Sequence, residues 1–345
     1  MPAQQRSRFL KATPITIDWQ PYLSIYASEL YLKSISDEYG WLGGVDDSGR
    51  LRCILPYTII QKAFFRMVRF RVETIQLGEA LNIIEETSFL NSAIEYFRSI
   101  AADMIIPAST NTIFRTYPDG AVVAPYGSYV LDLAESEKTL WKKLHPKHRN
   151  VVRNAMKKGV EIREGLEYLD TCFCLVRESF MRSAKSFSDK RRVDVMLKHD
   201  AFRNQVLALG KNVKVLSAMY EGVVQGCAVI PFSLHSAYYL HGGSIAKPVT
   251  GAMNLLHWEA IRLFREAMVR YYDFVGARIN PDKGSKQESL MMFKQRFGGR
   301  LVSGYMWKYS LHPLKFAIYS LAARLLKGGD IVDQESHKLG NKVEN

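Results

Sequence analysis

The sequence predicts a mixed α/β protein in two lobes, joined by a strongly basic link. Three observations carry this. The chain has 345 residues, enough for two domains of roughly 150 residues each. Hydrophobic residues make up 47% and charged residues 23%, the profile of a chain that buries a core. Strand-like apolar runs alternate with helix-spaced apolar stripes from one end to the other. The division expected is residues 1–150 for the first lobe, 151–310 for the second, and 311–345 for a basic amphipathic helix with a loose tail.

In the first lobe, WLGGVDDSGRLRCILPYTII from Trp41 reads as a hairpin whose turn is DDSGR. Asn91 to Ala102 has Ala93, Ile94, Phe97 and Ile100 on one helical face. MIIPAS from Met104 and YGSYVLDL from Tyr126 read as strands. The link, Trp141 to Arg163, holds eight Lys or Arg residues against one Glu. Ser136 can cap an entering helix, Pro146 interrupts or restarts it, and Gly159 can stop it. Such a segment is either a solvated basic helix or a cradle for phosphates, with Lys142, Lys147, Arg149, Arg153 and Lys157 as the cations.

The second lobe opens with helix patterns at Leu166–Ala184 and Arg191–Gly210. Three strands follow, VKVLSAMYEG, VVQGCAVIPFS and SAYYLHGGS, joined by short turns as an antiparallel meander. In the third, alternation puts Tyr239 and His241 on one face, which makes both candidates for ligand contact. AMNLLHWEAIRLFREAMVR is an amphipathic helix with Met253, Leu256, Ala260, Leu263 and Met268 near one face. The strand YYDFVG, the helix SKQESLMMFKQRFGG and the strand LVSGYMWKYSL complete the lobe. Helix, helix, meander, helix, strand, helix, strand is the order of a GNAT acyltransferase domain. The fold class expected for the whole chain is two GNAT-like lobes, mixed sheets flanked by helices.

Tyr271 to Arg300 resembles the signature of the Fem family of peptidyl and aminoacyl transferases, a YDF-x-G strand end, a polar loop and a helix ending FK-x-x-FGG. The matching residues are Tyr272, Asp273, Phe274, Gly276, Phe293, Lys294, Phe297, Gly298 and Gly299. RNAMKKGV, Arg153 to Val160, is similar to the family's basic helix. The resemblance implies transfer of an amino acid from charged tRNA to an amine of a peptidoglycan precursor, without a metal, with Phe293 and Lys294 at the reaction channel. Its relatives also include acyl-CoA-dependent proteins of surface-polysaccharide synthesis. The co-substrate expected is therefore aminoacyl-tRNA or acyl-CoA, with no tightly bound cofactor.

An aminoacyl ester or thioester is already activated, so the chemistry needs an oriented, deprotonated amine and a donor for the oxyanion. Lys294, in a helix otherwise rich in apolar residues, fits the donor. Asp273 can orient or deprotonate the amine, or it can cap its loop or pair with Arg278. Gly251, at the start of the long helix, is the single glycine where an acetyl-CoA pyrophosphate loop would lie.

The net charge of +13 calls for an anionic partner: a phosphorylated or lipid-linked envelope precursor, tRNA, or acidic headgroups. Besides the aminoacyl transferase, the sequence admits an acyl-CoA-dependent N-acyltransferase of amino sugars and a non-catalytic RNA-binding or membrane-associated assembly factor. Four scattered cysteines read as reduced core thiols, and no run is long enough for a signal peptide or a membrane span. The location expected is cytoplasmic. Pro313 opens a helix whose Leu314, Ile318, Leu321 and Leu325 share a face flanked by Lys315, Arg324 and Lys327, suited to the inner membrane surface or to packing on the body.

Overall fold

The computed structural model describes residues 9–107, 112–184, 190, 193–194, 197–279 and 281–336. The first part of the chain runs β1 (Lys11–Ile15), α1 (Glu29–Ile35), β2 (Glu38–Val45), β3 (Leu51–Lys62), β4 (Phe65–Phe70), β5 (Ile75–Gln76), α2 (Ile83–Ser99), β6 (Met104–Ile105) and β7 (Val122–Asp132). The link forms α3 (Glu137–Lys143) and α4 (Pro146–Lys157). Then come β8 (Glu161–Glu164), α5 (Leu169–Met181), α6 (His199–Ala208), β9 (Val213–Tyr220), β10 (Val223–Pro231), β11 (Ser236–Tyr238) and β12 (His241–Ser244). The chain continues through α7 (Ala252–Glu266), β13 (Tyr271–Asp273), β14 (Ala277–Arg278), α8 (Lys286–Gln295), β15 (Arg300–Ser310), α9 (Pro313–Lys327) and α10 (Ile331–Glu335).

The expected hairpin is β2–β3. The Asp46 carboxylate fixes its turn by accepting the backbone N–H groups of Ser48 at 3.0 Å and Arg50 at 3.1 Å. Ser136 caps α3, Pro146 begins α4, and Gly159 follows it at φ +82°. One helix begins earlier than its apolar pattern indicates. α2 starts at Ile83 and not Asn91, because Asn82 and Glu85 form a reciprocal capping box. Its first turn exposes Ile83 and Ile84 and buries Glu85 and Glu86, the reverse of an amphipathic pattern. The strand expected from Met104 is two residues long, and part of that stretch lies outside the described residues. The helix expected from Arg191 is described as α6, with Arg191, Arg192, Val195 and Met196 outside the described residues.

Two sheets organise the molecule. One has the order β1-β2-β3-β4-β6-β15-β7-β13-β11, with β5 on β3 and β14 on β7; the other is β12-β10-β9-β8. β15 stitches the larger sheet together. It pairs with β7 from Arg300 to Lys308 and with β6 at Tyr309 and Ser310. A core at the seam mixes Tyr26, Tyr31, Trp41 and Ile54 with Phe173, Val176, Phe202, Val229 and Tyr238. Each large side chain so buried contributes roughly 1.5–3 kcal/mol, which ties the two halves together.

The expected third meander strand is divided. Ser236–Tyr238 pairs in parallel with β13 in the large sheet, while His241–Ser244 pairs antiparallel with β10 in the small one. The chain changes sheets at Tyr239 and Leu240, so strand alternation does not carry across. Tyr239 and His241 therefore do not share a face: Tyr239 packs against His257, ring centroids 4.4 Å apart, and His241 against Phe202 at 5.1 Å. α7 also departs from its expected face. Leu256 and Ala260 are buried, but Met268 lies past the helix end at φ +58° and is 81% exposed. Cys53, Cys172 and Cys227 are buried thiols, whereas Cys174 points outward from α5.

Candidate active site at the seam of the lobes

β13 lies between β7 and β11 and delivers Asp273 to its end. The Asp273 carboxylate accepts the Val275 N–H at 2.7 Å and the Ser128 hydroxyl of β7, so it closes a short turn. Val275 and Gly276 follow with φ of 50° and 68°. Two successive left-handed residues turn the chain sharply, and the β-branched Val275 holds this conformation at a cost of about 1–3 kcal/mol. Its side chain is pinned in the seam core.

The turn's two carbonyls, those of Val275 and Gly276, accept hydrogen bonds from the ammonium of Lys294, the second at 2.5 Å. Lys294 is carried on α8, which Ser285 caps by accepting the Glu288 N–H at 3.1 Å. Burial pushes the Lys294 pKa down to about 8, and the nearby Asp273 opposes that shift. Burial raises the Asp273 pKa, with the Ser128 and Val275 hydrogen bonds and Lys294 pulling the other way. A lysine ammonium has three donors. Two are held by the turn, and one remains to meet a developing negative charge.

Phe293 sits beside Lys294 in an aromatic wall. Its ring is 5.5 Å from that of His148 and 5.6 Å from that of His257, and Phe297 is 5.2 Å away. Both imidazoles are buried and held neutral at neutral pH: burial drives His148 down to about 4 and His257 to about 3. Tyr239 joins the same wall through His257, whose Nδ1 meets the Tyr272 hydroxyl at 2.9 Å.

Glu73, between β4 and β5, is a further candidate that the sequence does not single out. Burial pushes its pKa up to about 7, and the charge of Asp273 adds to the rise while the Ile113 N–H opposes it. Tyr238 lies in register with Asp273 and within electrostatic reach of Glu73; its hydroxyl meets the Ser24 hydroxyl at 2.9 Å. Tyr26 stacks on Tyr238 at 4.5 Å, and its buried hydroxyl has no hydrogen-bond partner among the described residues. The first lobe thus brings a carboxyl whose pKa burial pushes to about 7 within electrostatic reach of Asp273. In the sequence it is the one acid in the alternating stretch from Val68 to Ile75, whose other charges are Arg69 and Arg71.

The structure gathers Lys294, Phe293, Asp273 and Tyr239 and leaves the other candidates apart. His241, driven down to about 4 by burial, belongs to the α6 side. The Arg149 guanidinium caps the end of α3 through the carbonyls of Lys142 at 2.9 Å and Leu144 at 2.6 Å. It also lines an open groove of about 630 Å³ with Lys142, Lys143, His145 and Arg296, which adjoins α8 at Met292 and Gln295. Arg153 lies over the Trp141 ring, 5.4 Å from its centroid, in a second groove of about 710 Å³. Lys157 is exposed in the last turn of α4. Gly251, at φ +92°, is where α4 closes on the start of α7: a Cβ there would stand 2.3 Å from the Val151 carbonyl oxygen. Arg278 pairs with Glu335 at 2.8 Å, which leaves Asp273 to its turn.

No protein-family model and no curated protein sequence matches the chain. Among solved structures, the chain is similar to a crystal structure of FemX, with a TM-score of 0.57 and 14% identity over 89% of this chain and 99% of that one. The C-terminal domain of a putative lysylphosphatidylglycerol synthetase from Agrobacterium fabrum gives 0.47 and 14%, covering 82% and 89%. A tandem GNAT protein from the clavulanic acid biosynthesis pathway gives 0.43 and 12%, covering 82% and 86%. The match to FemX spans most of both chains and shows that this chain shares its fold, mixed sheets flanked by helices.

Proposed function

We propose that this chain is an acyltransferase that forms an amide, moving an aminoacyl or acyl group from an activated ester or thioester to an amine of a cell-envelope precursor. The observation that carries the reading is the Lys294 ammonium, fixed by two carbonyls of a strained turn with one donor to spare. Glu73 accepts the proton of the incoming ammonium, a task for which a pKa of about 7 is well matched. The free amine attacks the acyl carbon, the C–N bond forms, and the carbonyl oxygen takes the negative charge. Lys294 donates to that oxygen, a contribution of about 3–4 kcal/mol. Collapse breaks the bond to the leaving oxygen or sulfur, which takes up the proton that the newly bonded nitrogen gives up. Holding the two reactants in the seam contributes roughly 7–11 kcal/mol more.

No covalent nucleophile is called for. Burial raises the Cys53 thiol to about 12, and the hydrogen bond with Cys172 together with burial holds Cys227 well above its ordinary value. The groove of Arg149, Lys142 and Arg296 beside α8 suits the phosphates of a charged tRNA, a nucleotide-linked precursor or a lipid-linked one. The closed start of α7 at Gly251 favours an aminoacyl-tRNA donor over acyl-CoA. Precursors of this kind are assembled in the cytoplasm, where we place the reaction.

The test is a donor comparison with the full chain and a mixture of peptidoglycan and amino-sugar precursors. Label is expected to pass from charged tRNA to an amine. Label passing from acetyl-CoA alone would establish the N-acyltransferase reading. No turnover with either donor, alongside RNA binding that weakens steeply with salt, would establish a binding factor instead.

A further inference from the structure

α9 presents two faces of opposite character. Phe316, Tyr319 and Ala323 turn toward the body, where Phe316 and Tyr319 pack on Met67, Met104 and Ile106. Leu314, Ile318, Leu321 and Leu325 turn away and are 66%, 44%, 59% and 78% exposed. At 3.6 residues per turn these four fall within about 60° of arc. An apolar stripe of this size is not expected to face water on a helix whose other side already holds it in place.

A second, independent feature adjoins it. The β3–β4 hairpin turns on Ala63 and Phe64, with Lys62 opposite Phe65 and Ala63 at φ +52°. Two-residue turns of this kind ordinarily carry Asn or Gly. Here the tip carries Phe64, 55% exposed. Its ring stacks 4.2 Å from Phe65, which in turn lies 6.2 Å from Tyr319 of α9. The hairpin tip and the helix therefore form one surface with two apolar projections.

The charges around this surface are mainly basic. Arg324 falls on one side of the leucine stripe and Lys315, paired with the Asp103 carboxylate at 2.8 Å, on the other, Lys62 sits at the hairpin tip, and no acidic residue occurs from Pro313 to Gly329. An apolar stripe between basic flanks matches the boundary between acyl chains and acidic headgroups. No described helix is long and apolar enough to cross a membrane, so the fit is to the surface of a bilayer. We propose that α9 and the Phe64 hairpin dock this chain on an anionic lipid surface, with the α9 axis in the plane of the interface. This docking is independent of the chemistry at Lys294.

The test is vesicle sedimentation of the full chain with phosphatidylcholine alone and with phosphatidylcholine containing phosphatidylglycerol. The wild-type chain is expected to sediment with the anionic vesicles and weakly with the neutral ones. Leu321→Glu with Leu325→Glu changes two exposed positions, so folding is kept, and binding is expected to fall at least tenfold. Arg324→Gln is expected to weaken it about fivefold. Two results would overturn the proposal. One is equal sedimentation of the wild type and the Leu321, Leu325 double variant. The other is a wild-type dimer in ultracentrifugation that the double variant breaks, which would show that a second copy covers the face.

Discussion

Two lysines withdrawn from solvent, Lys308 buried and Lys294 half-buried, make the most instructive contrast in this molecule. Lys308, on β15, is 2% exposed and lies 3.0 Å from an Asp330 carboxylate oxygen and 2.7 Å from one of Asp333. Lys294, on α8, gives its ammonium to the carbonyl oxygens of Val275 and Gly276. Carboxylates cancel a cation's charge and consume its donors. Carbonyls hold it in place but leave the charge uncancelled, and burial then pulls the Lys294 pKa down to about 8. The first arrangement fastens α10 to the last strand. The second keeps a charge, a donor and a mobile proton available at a strand end.

The contrast can be broken in several ways. The largest effect is expected from the partner group across the seam: Glu73→Gln should lower kcat/KM by about 10²- to 10⁴-fold and remove the rising limb of its pH profile near pH 7. Next, Lys308→Met leaves two carboxylates unpaired beside a buried position. It should cost about 3 kcal/mol in denaturant unfolding while the folded fraction keeps its turnover rate. Gly251→Ala should cost about 1–3 kcal/mol, because its Cβ meets the Val151 carbonyl oxygen and α4 must move; thermal unfolding measures it. The smallest and sharpest test is Asp273→Asn. Asp273 holds the Lys294 pKa up, so its loss should move the falling limb of the rate profile to lower pH. A limb that stays in place would assign that titration to another group.

The legible parts of this fold are those whose cause is local. The hairpin turn at Asp46, the Pro146 restart and the Ser136 cap are each decided by a few adjacent residues, and all three are where the sequence reading puts them. The misread parts are decided at a distance. The stretch Ser236–Ser244 looks like one strand, but β13 and β10 compete for its two ends, and the chain splits between the sheets. The early start of α2 is hidden because Glu86, buried, lies near Arg115 at 3.5 Å while Ile83 and Ile84 face out. The same holds for the site. Phe293, Lys294 and Asp273 stand in one contiguous motif and could be named from it. Glu73 lies some two hundred residues away in the other lobe, and only the packing that buries it gives it a pKa near neutrality. His148 and His257 are likewise silent in sequence, since their neutrality follows from burial among Phe293 and Phe297.

The central claim is that Lys294 stabilises the oxyanion while Lys308 only holds structure. It is tested most directly by single-turnover transfer measured across pH 6 to 9 for the wild type and for Lys294→Met, alongside their unfolding curves. For the wild type the rate should rise through about pH 7 as Glu73 ionises and fall through about pH 8 as the Lys294 ammonium is lost. Lys294→Met should lose about 10²- to 10³-fold in rate, keep only the rising limb, and remain folded. A variant that transfers at the wild-type rate with both limbs intact would contradict the account.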